Sequence, residues 1–243
     1  EIRPRDWSSD VCSSDLFRKS RIPVDDRYFN RVVPPILEHS PGVTISTGSY
    51  RADNPNDPLA AFLKVNGDVR EANAHTIVDV TSKGAPERLW TEPFLQLGNS
   101  KVEAAFADER TYVYNGKDVD KQTHLGFDLA VTANVPVAAA NAGVVQHADW
   151  LGIYGNCVII DHGLGVASLY GHLSSVAVKP GDSVSKGQLI GKSGMTGLAG
   201  GDHLHFTMLV GGRPVNPVEW WDVHWMRDRV ERKLSETGSP SRQ

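Results

Sequence analysis

The sequence predicts a mainly β chain: an antiparallel β-sheet or sandwich, preceded by a smaller, partly helical region and closed by a C-terminal helix. The first observation is that short runs of β-forming residues alternate with glycine turns from residue 94 onward. The second is that Asn115-Gly116 and Gly211-Gly212 are residue pairs typical of tight hairpins. The third is that the residues before position 94 show helical spacing instead. Strands this short and frequent indicate a sheet built from hairpins.

Residues 1–16 differ in character from the rest, because they show neither helical nor strand periodicity. They resemble a translated sequencing adapter, and we exclude them from fold reasoning as probable non-native sequence. We therefore expect the native chain to begin near Phe17, with any upstream signal or membrane anchor lost from this fragment. Cys157 is then the sole native cysteine, which rules out an intrachain disulfide. The expected parts are residues 1–16, a helical and loop region at 17–93, a β-rich domain at 94–221, and a C-terminal helix and tail at 222–243.

Two helices are expected before residue 94. The first spans residues 25–33 and ends at the Pro34-Pro35 pair. The second spans residues 58–80, where apolar residues recur at helical spacing with an interruption near Gly67. No catalytic motif is visible in either helix, so we expect this region to be a spacer or cover for the domain that follows.

The β-rich part is expected to begin with a strand at residues 94–97 and to end with one at 203–210. The tail from residue 217 to 237 predicts a closing helix. We expect its three tryptophans to cover one end of the sheet: Trp220, Trp221 and Trp225.

Composition excludes two classes of partner. The net charge is −4 and no long basic run is present, so nothing supports a nucleic-acid partner. No apolar run of about 18 residues exists, so the sequence predicts no membrane-spanning helix.

The most informative stretch contains two histidines, His203 and His205, within a β-forming run. Successive side chains of a strand alternate between its faces, so both imidazoles point the same way, about 7 Å apart. Leu204 and Phe206 point to the opposite, apolar side. One imidazole is then able to bind a metal ion, while the other contacts the molecule that is bound to that ion. A pair of exposed strand histidines is the alternative reading of this motif alone.

A second stretch places His124 and Asp128 on one face of a strand, with Gly126 between them. Positions four apart in a regular strand lie about 13 Å from each other, too far to share an ion. Glycine often marks a bulge or bend, so we expect Gly126 to bring the two side chains together. With His205 they make the three ligands that catalytic zinc uses. Zinc lowers the pKa of bound water to about 7 and so generates a nucleophile near neutral pH.

The third stretch contains His172 on another expected strand, with Tyr170 on the same face. His172 and His203 would flank the zinc-bound water, one accepting its proton and the other hydrogen-bonding the oxyanion. Taken alone, His172 is better explained as a buried structural histidine. His162 is expected to be structural. Tyr170 and Asp202 are candidates for hydrogen bonding to the zinc-bound imidazoles.

Together the motifs His124-x-x-x-Asp128, His172-Leu173 and His203-x-His205 resemble those of the lysostaphin/LytM-type zinc metallopeptidases, the M23 peptidase family. The resemblance implies that His124, Asp128 and His205 hold Zn²⁺ and that His172 and His203 are catalytic. It also implies a peptidoglycan hydrolase that cuts peptide cross-links of the bacterial cell wall. The location implied by that substrate is the cell envelope, either the periplasm or the outer face of the membrane.

Three alternatives remain open at this stage. Some relatives that have lost ligands act only as wall-binding activators of other hydrolases, whereas all five positions are filled here. Residues 178–191 resemble half of a biotinyl or lipoyl carrier sheet, although Lys186 and Lys192 lack the setting of a modified lysine. A metal-dependent amidase that cuts the sugar–peptide link is the third and weakest alternative.

Overall fold

The structure is a computed structural model that describes residues 18–40 and 57–237. The segment 1–16 that we expect to be non-native lies outside the described residues. Within them, short antiparallel strands dominate, with helices before and after, so the predicted fold class is confirmed. None of the helices in the described part of the chain is long and apolar enough to cross a membrane.

The described part of the N-terminal region, residues 18–40 and 57–93, contains one strand and three helices. They are β1 (Lys19–Val24), α1 (Asp26–Glu38), α2 (Pro58–Lys64) and α3 (Arg70–Thr81), with a π-helical turn (Val65–Val69) joining α2 to α3. The helix predicted at 58–80 is confirmed, and its interruption near Gly67 is the π-helical turn. Strand β1 was not predicted, because a short polar segment that contains Pro23 gives no clear strand signal.

The prediction that the first helix ends at Pro34-Pro35 was wrong. Helix α1 begins after Asp25, whose carboxylate accepts a hydrogen bond from the Tyr28 N–H, and it continues through both prolines to Glu38. Each proline removes one backbone donor. The helix nevertheless continues because it buries an apolar face that extends past the prolines. That face consists of Phe29, Val32, Val33 and Ile36.

Thirteen further strands follow in the described chain. They are β2 (Lys101–Ala104), β3 (Glu109–Tyr114), β4 (Lys117–Thr123), β5 (Phe127–Ala130), β6 (Pro136–Ala138), β7 (Gly143–Trp150), β8 (Asn156–Gly163), β9 (Val166–Leu173), β10 (Ser175–Val176), β11 (Ser183–Val184), β12 (Leu189–Lys192), β13 (His203–Val210) and β14 (Arg213–Val215). The two glycine-containing pairs Asn115-Gly116 and Gly211-Gly212 join β3 to β4 and β13 to β14, with positive φ at both positions of each pair. Both predicted hairpins are therefore confirmed.

An eight-stranded antiparallel sheet forms the centre of the molecule. Its order is β11-β7-β8-β9-β13-β5-β2, with β14 paired to β13. Two three-stranded sheets accompany it, in the orders β1-β3-β4 and β10-β12-β6, and β1 pairs with β3 in parallel. The strand expected at residues 94–97 is absent from the described sheets. That segment is irregular and is held by two backbone hydrogen bonds. The Phe94 N–H donates to the Trp220 carbonyl, and the Leu95 N–H donates to the Ala140 carbonyl.

The large sheet buries both of its faces, and the two faces differ. One packs into the main core, which includes Leu204, Phe206 and Met208 of β13. The other is covered at one end by α3, through Ile77, which packs with Leu209 in a separate cluster. Because side chains alternate along β13, His203 and His205 lie on this second face, beyond the part that α3 covers.

The chain closes with three short helices. They are α4 (Pro217–Trp221), α5 (Val223–Trp225) and α6 (Arg232–Thr237), with a π-helical turn (Met226–Glu231) before α6. Trp220, Trp221 and Trp225 pack against the main core, so the predicted cover of the sheet is confirmed. The closing helix is broken at Asp222, whose extended backbone ends α4 and whose carboxylate accepts from the Trp225 N–H of α5.

Candidate metal and catalytic site

Strand pairing brings His205 and Asp128 together. Strands β13 and β5 are antiparallel neighbours, and His205 is directly opposite Asp128 in their register. His203 lies one step along the same face of β13, opposite Ala130. Each of these three side chains is largely buried. The predicted orientation of the two histidines of β13 is therefore correct.

A bend at Gly126 brings His124 to the same point. Strand β4 ends at Thr123 and β5 begins at Phe127, and the intervening chain turns at Gly126. A Cβ atom at Gly126 would lie 2.6 Å from the Phe206 carbonyl oxygen and 2.7 Å from Cε1 of His205. Only glycine therefore permits this close approach. The bend predicted at Gly126 is confirmed.

Three side-chain atoms converge at this point: His124 Nε2, Asp128 Oδ1 and His205 Nδ1. The distance from His124 Nε2 to Asp128 Oδ1 is 3.0 Å, that from His205 Nδ1 to Asp128 Oδ1 is 3.0 Å, and the two imidazole nitrogens are 3.1 Å apart. Ligand atoms of a tetrahedral zinc ion, with bonds of about 2.0–2.1 Å, stand about 3.3–3.4 Å from each other. The triangle therefore needs only a small expansion to hold such an ion, and it forms a candidate metal site.

Hydrogen bonds from outside the triangle orient all three side chains. His124 Nδ1–H donates to the Ala105 carbonyl at 2.9 Å, which leaves Nε2 free for a metal. His205 Nε2–H donates to Thr207 Oγ1 at 3.0 Å, which leaves Nδ1 free. Arg110 Nη2 donates to Asp128 Oδ2 at 2.6 Å, on the oxygen that faces away from the triangle. Such outer contacts fix the tautomers and orientations of metal ligands.

Sequence reasoning missed Arg110 and Thr207. A signal for Thr207 was present, because alternation places it on the same face of β13 as His205. No local signal pointed to Arg110, since its approach to Asp128 depends on how β3 packs beside β5.

The electrostatics of the site suit a cation. Burial raises the pKa of Asp128, but the close contacts with the imidazoles of His124, His203 and His205 outweigh it and hold that pKa well below its usual value. Burial lowers the pKa of His205 to about 4, against the opposing influence of Asp128. The site therefore contains an ionised carboxylate beside a neutral imidazole, which are the protonation states that metal ligands require.

His172 reaches the site by a route that alternation does not predict. We expected it to share a face with Tyr170, but Tyr170 lies on the opposite side of β9, where its ring packs against Phe206. The φ angle of His172 is +64°, in the left-handed region. This conformation is uncommon for residues other than glycine, and it breaks the alternation of β9. The imidazole consequently stands 4.7 Å from that of His203, measured between ring centroids.

Both of these histidines present Nε2 towards the site. His172 Nδ1–H donates to the Thr196 carbonyl at 2.8 Å, and His203 Nδ1–H donates to the Gly201 carbonyl at 2.8 Å. His203 Nε2 lies 3.4 Å from Asp128 Oδ1. A single loop, residues 194–202, thus holds the outer nitrogen of both imidazoles.

Tyr170 is not a partner of the site imidazoles. Its hydroxyl lies 2.9 Å from Ser168 Oγ and accepts from the Ala140 N–H, within the main core. Ser168 Oγ is in turn 2.7 Å from Nε2 of His162, whose Nδ1–H donates to the Ala142 carbonyl. His162 is completely buried, which supports its expected structural role.

The site opens into a groove of about 840 Å³. Strand β1 lines one wall of the groove, and the loop that holds the histidines lines another. Helix α1 packs on that loop, where Arg31 Nη2 donates to the Ala199 carbonyl at 3.0 Å and the Tyr28 hydroxyl donates to that of Leu198 at 3.4 Å. The N-terminal region therefore contributes to the walls of the site.

Comparison with known proteins gives a family match over the part of the chain that contains the candidate site. A family described as "Peptidase family M23" matches residues 122–217. Peptidoglycan DD-endopeptidase ShyA of Vibrio cholerae is 44% identical over 96 residues, which cover 40% of this chain and 22% of that protein. DD-carboxypeptidase/endopeptidase Mpg of Neisseria meningitidis is 43% identical over 95 residues, which cover 39% of this chain and 22% of that protein.

The catalytic domain of lysostaphin from Staphylococcus simulans is a solved structure that is 30% identical. Its alignment covers 51% of this chain and 94% of that domain, with a TM-score of 0.46. The chain spans about a fifth of the length of the two curated relatives above. The matched residues 122–217 include the bend at Gly126, His172 and the whole of β13. The match to peptidase family M23 therefore covers the part of the chain that contains all five candidate site residues.

Proposed function

We propose that this chain is a zinc-dependent endopeptidase that hydrolyses peptide cross-links of peptidoglycan in the bacterial cell envelope. The observation that carries the proposal is the convergence of His124, Asp128 and His205 on one point within an open groove. The names of the two curated relatives, a peptidoglycan DD-endopeptidase and a DD-carboxypeptidase/endopeptidase, support the substrate class.

In this proposal His124 Nε2, Asp128 Oδ1 and His205 Nδ1 hold Zn²⁺. The bound ion would supply Lewis acidity and lower the pKa of a coordinated water molecule to about 7. Arg110 donates a charge-assisted hydrogen bond to the second oxygen of Asp128, which favours the ionised carboxylate. The ligand set is thereby oriented before a metal arrives, which reduces the cost of binding.

His172 and His203 perform the proton transfers in this proposal. Because His172 Nδ1–H donates to the Thr196 carbonyl, the Nε2 atom of His172 carries a free lone pair. That lone pair can accept a proton from the attacking water. His203 is held in the same way by the Gly201 carbonyl, and its ring centroid lies 4.7 Å from that of His172. A protonated Nε2 there donates to the oxyanion of the peptide carbonyl and then to the departing amine.

The non-catalytic activator is the alternative that we do not favour. An activator needs a surface but no ligand set, whereas this chain keeps all three ligand atoms within 3.1 Å of each other and orients each by a further hydrogen bond. A solely wall-binding protein gives no reason for that arrangement.

The test combines metal analysis with product analysis. Purified protein is expected to contain about one zinc per chain, to lose hydrolysis of purified peptidoglycan after chelation, and to regain it when Zn²⁺ is added. His205→Ala should lose both zinc and hydrolysis, whereas His75→Ala, an exposed histidine of α3, serves as the matched control. Mass spectrometry of the products separates cleavage within peptides from amidase cleavage at the sugar. Protein that takes up no zinc, or a His205→Ala variant that still hydrolyses, would refute the proposal.

A further inference from the structure

Arg70 is a cation that lines the groove and has no carboxylate partner among the residues that the structure describes. It is the first residue of α3, it is half-buried, and it lines the same groove as the candidate metal site. The other half-buried arginine of the groove, Arg110, is paired with Asp128. Arg21 is paired with Asp118. Within the described parts of the chain, no carboxylate oxygen lies within 4.0 Å of the Arg70 guanidinium.

The guanidinium of Arg70 is held in place from behind. Its Nε donates to the Asn66 carbonyl at 3.2 Å and its Nη2 donates to Asn66 Oδ1 at 2.6 Å. Asn66 is completely buried, and its own amide donates to Asp120 Oδ2 at 2.6 Å. A guanidinium has five N–H donors, so these bonds leave several directed away from Asn66. The arginine is thus oriented without being neutralised.

The backbone around Arg70 is unusual. Asn66 belongs to the π-helical turn between α2 and α3, and Arg70 directly follows that turn. Short π-helical turns within α-helices are rare and occur frequently at functional sites. Here the turn contains the asparagine that holds the guanidinium.

Two tyrosines line the groove beside Arg70. Burial raises the pKa of Tyr154 to about 12 and also raises the pKa of Tyr28. The positive charge of Arg70 opposes both shifts. Both phenols therefore stay protonated at neutral pH; the Tyr28 hydroxyl donates to the Leu198 carbonyl, and Tyr154 supplies the hydroxyl donor nearer the metal site. The ring of Tyr154 also packs at 5.3 Å from that of His205, measured between centroids. Tyr154 thus connects the surroundings of Arg70 to the metal site.

We propose that Arg70 forms a carboxylate-binding subsite, which selects peptides that carry a free carboxylate beside the bond that is cut. A directed guanidinium pairs with a carboxylate through two parallel hydrogen bonds, and the neighbouring Tyr154 hydroxyl adds a donor to such a site. This inference rests on the proposed peptidase function and specifies its substrate as an acidic peptide.

The test compares two preparations of one cross-linked peptide, with its carboxyl groups either free or converted to carboxamides. The zinc-loaded enzyme is expected to show a kcat/KM at least about ten-fold higher for the free acid, the ratio that corresponds to about 1.4 kcal/mol. Arg70→Gln should bring this ratio close to one. Arg70→Lys, which keeps the charge but not the planar pair of donors, should give an intermediate ratio. Arg27→Gln, which changes an exposed arginine of α1 outside the groove lining, should leave the ratio at its wild-type value.

A binding measurement separates the subsite from the chemistry. In a His203→Ala background, calorimetry should give a lower Kd for the free-acid peptide, and adding Arg70→Gln should remove that difference. Equal Kd values for both peptides in the parent background, or an Arg70→Gln effect of the same size on both, would overturn the subsite. If the zinc-loaded protein without substitutions hydrolyses neither peptide but still binds the free-acid peptide more tightly, and Arg70→Gln removes that difference, the subsite is supported and the peptidase function is refuted.

Discussion

Replacing Thr207 with valine tests whether the outer hydrogen bonds tune the candidate metal site. Valine has the shape of threonine but lacks the hydroxyl, so the change removes two contacts without opening a cavity. The hydroxyl accepts from His205 Nε2–H at 3.0 Å and donates to the Leu125 carbonyl at 3.0 Å, and Thr207 is 2% exposed. With valine, both partners are left buried and unpaired.

The magnitude follows from those two lost contacts. Losing an outer partner of a metal-binding histidine typically weakens metal affinity by about 10- to 100-fold. That range is about 1.4 to 2.7 kcal/mol, in line with about 1–3 kcal/mol for a buried polar group left without its partner. We expect the Kd for zinc to rise by about 10- to 100-fold in Thr207→Val. The metal-free protein should also lose about 1–3 kcal/mol in free energy of unfolding.

The assay is a zinc titration against a chromophoric chelator of known affinity, at fixed pH. Urea unfolding with excess chelator measures the stability of the metal-free form separately. Thr207→Ser keeps the hydroxyl and is the matched control, with an expected Kd near that of the wild type. A Thr207→Val protein that is folded and binds zinc within about two-fold of the wild type would show that the hydroxyl does not orient His205.

Three further predictions concern the bend, a buried histidine and the contact of α1 with the loop. Gly126→Ala places a Cβ atom 2.6 Å from the Phe206 carbonyl oxygen, so urea unfolding should show a loss of about 1–3 kcal/mol and zinc titration a weaker Kd. Burial lowers the pKa of His162 to about 4, whereas the unfolded value is about 6.5, so the unfolded chain takes up the proton first as the pH falls. The contribution of His162 to the free energy of unfolding is therefore fully present above pH 6.5 and decreases by about 2 kcal/mol between pH 7 and 5. Urea unfolding of His162→Gln, measured at each pH, should not show this loss. Arg31→Ala removes the hydrogen bond to the Ala199 carbonyl and should lower kcat by about three- to ten-fold through a displaced loop, with folding retained by circular dichroism.

Each of these has a control and an outcome that contradicts it. Gly98→Ala, where a Cβ meets nothing within 4 Å, should be tolerated, and an equally mild Gly126→Ala would argue against the close approach. An acid destabilisation that is identical with and without His162 would show that this imidazole is not the group that titrates. Arg27→Ala changes an exposed arginine of the same helix, and a kcat that falls equally in Arg27→Ala and Arg31→Ala would deny the loop contact a specific role.

Features that depend on local backbone geometry could be predicted from the sequence. The orientation of His203 and His205 follows from strand alternation alone, and so does the burial of Leu204 and Phe206 on the other side. The bend at Gly126 was predictable because a straight strand could not bring its neighbours to one ion. These inferences need only the geometry of one strand.

Features that depend on tertiary packing could not be predicted in this way. His172 reaches the site through a positive φ, which no residue pattern signals in a non-glycine position. Arg110 and the loop contact of Arg31 join segments that are distant along the chain. Helix α1 continues past Pro34-Pro35 because of what its buried face packs against, and helix propensity carries no information about that partner.

The cover that α3 provides has a practical consequence for producing this protein. A boundary at residue 94 is suggested by the sequence, yet a recombinant piece starting there would leave Cys157, Ile159 and Leu209 without the helix that shields them from water. Contiguous apolar surface of that kind promotes self-association. Expression trials should accordingly retain the chain from β1 onward. Aggregation of a piece that starts at residue 94 would not show that the β-rich domain is unable to fold.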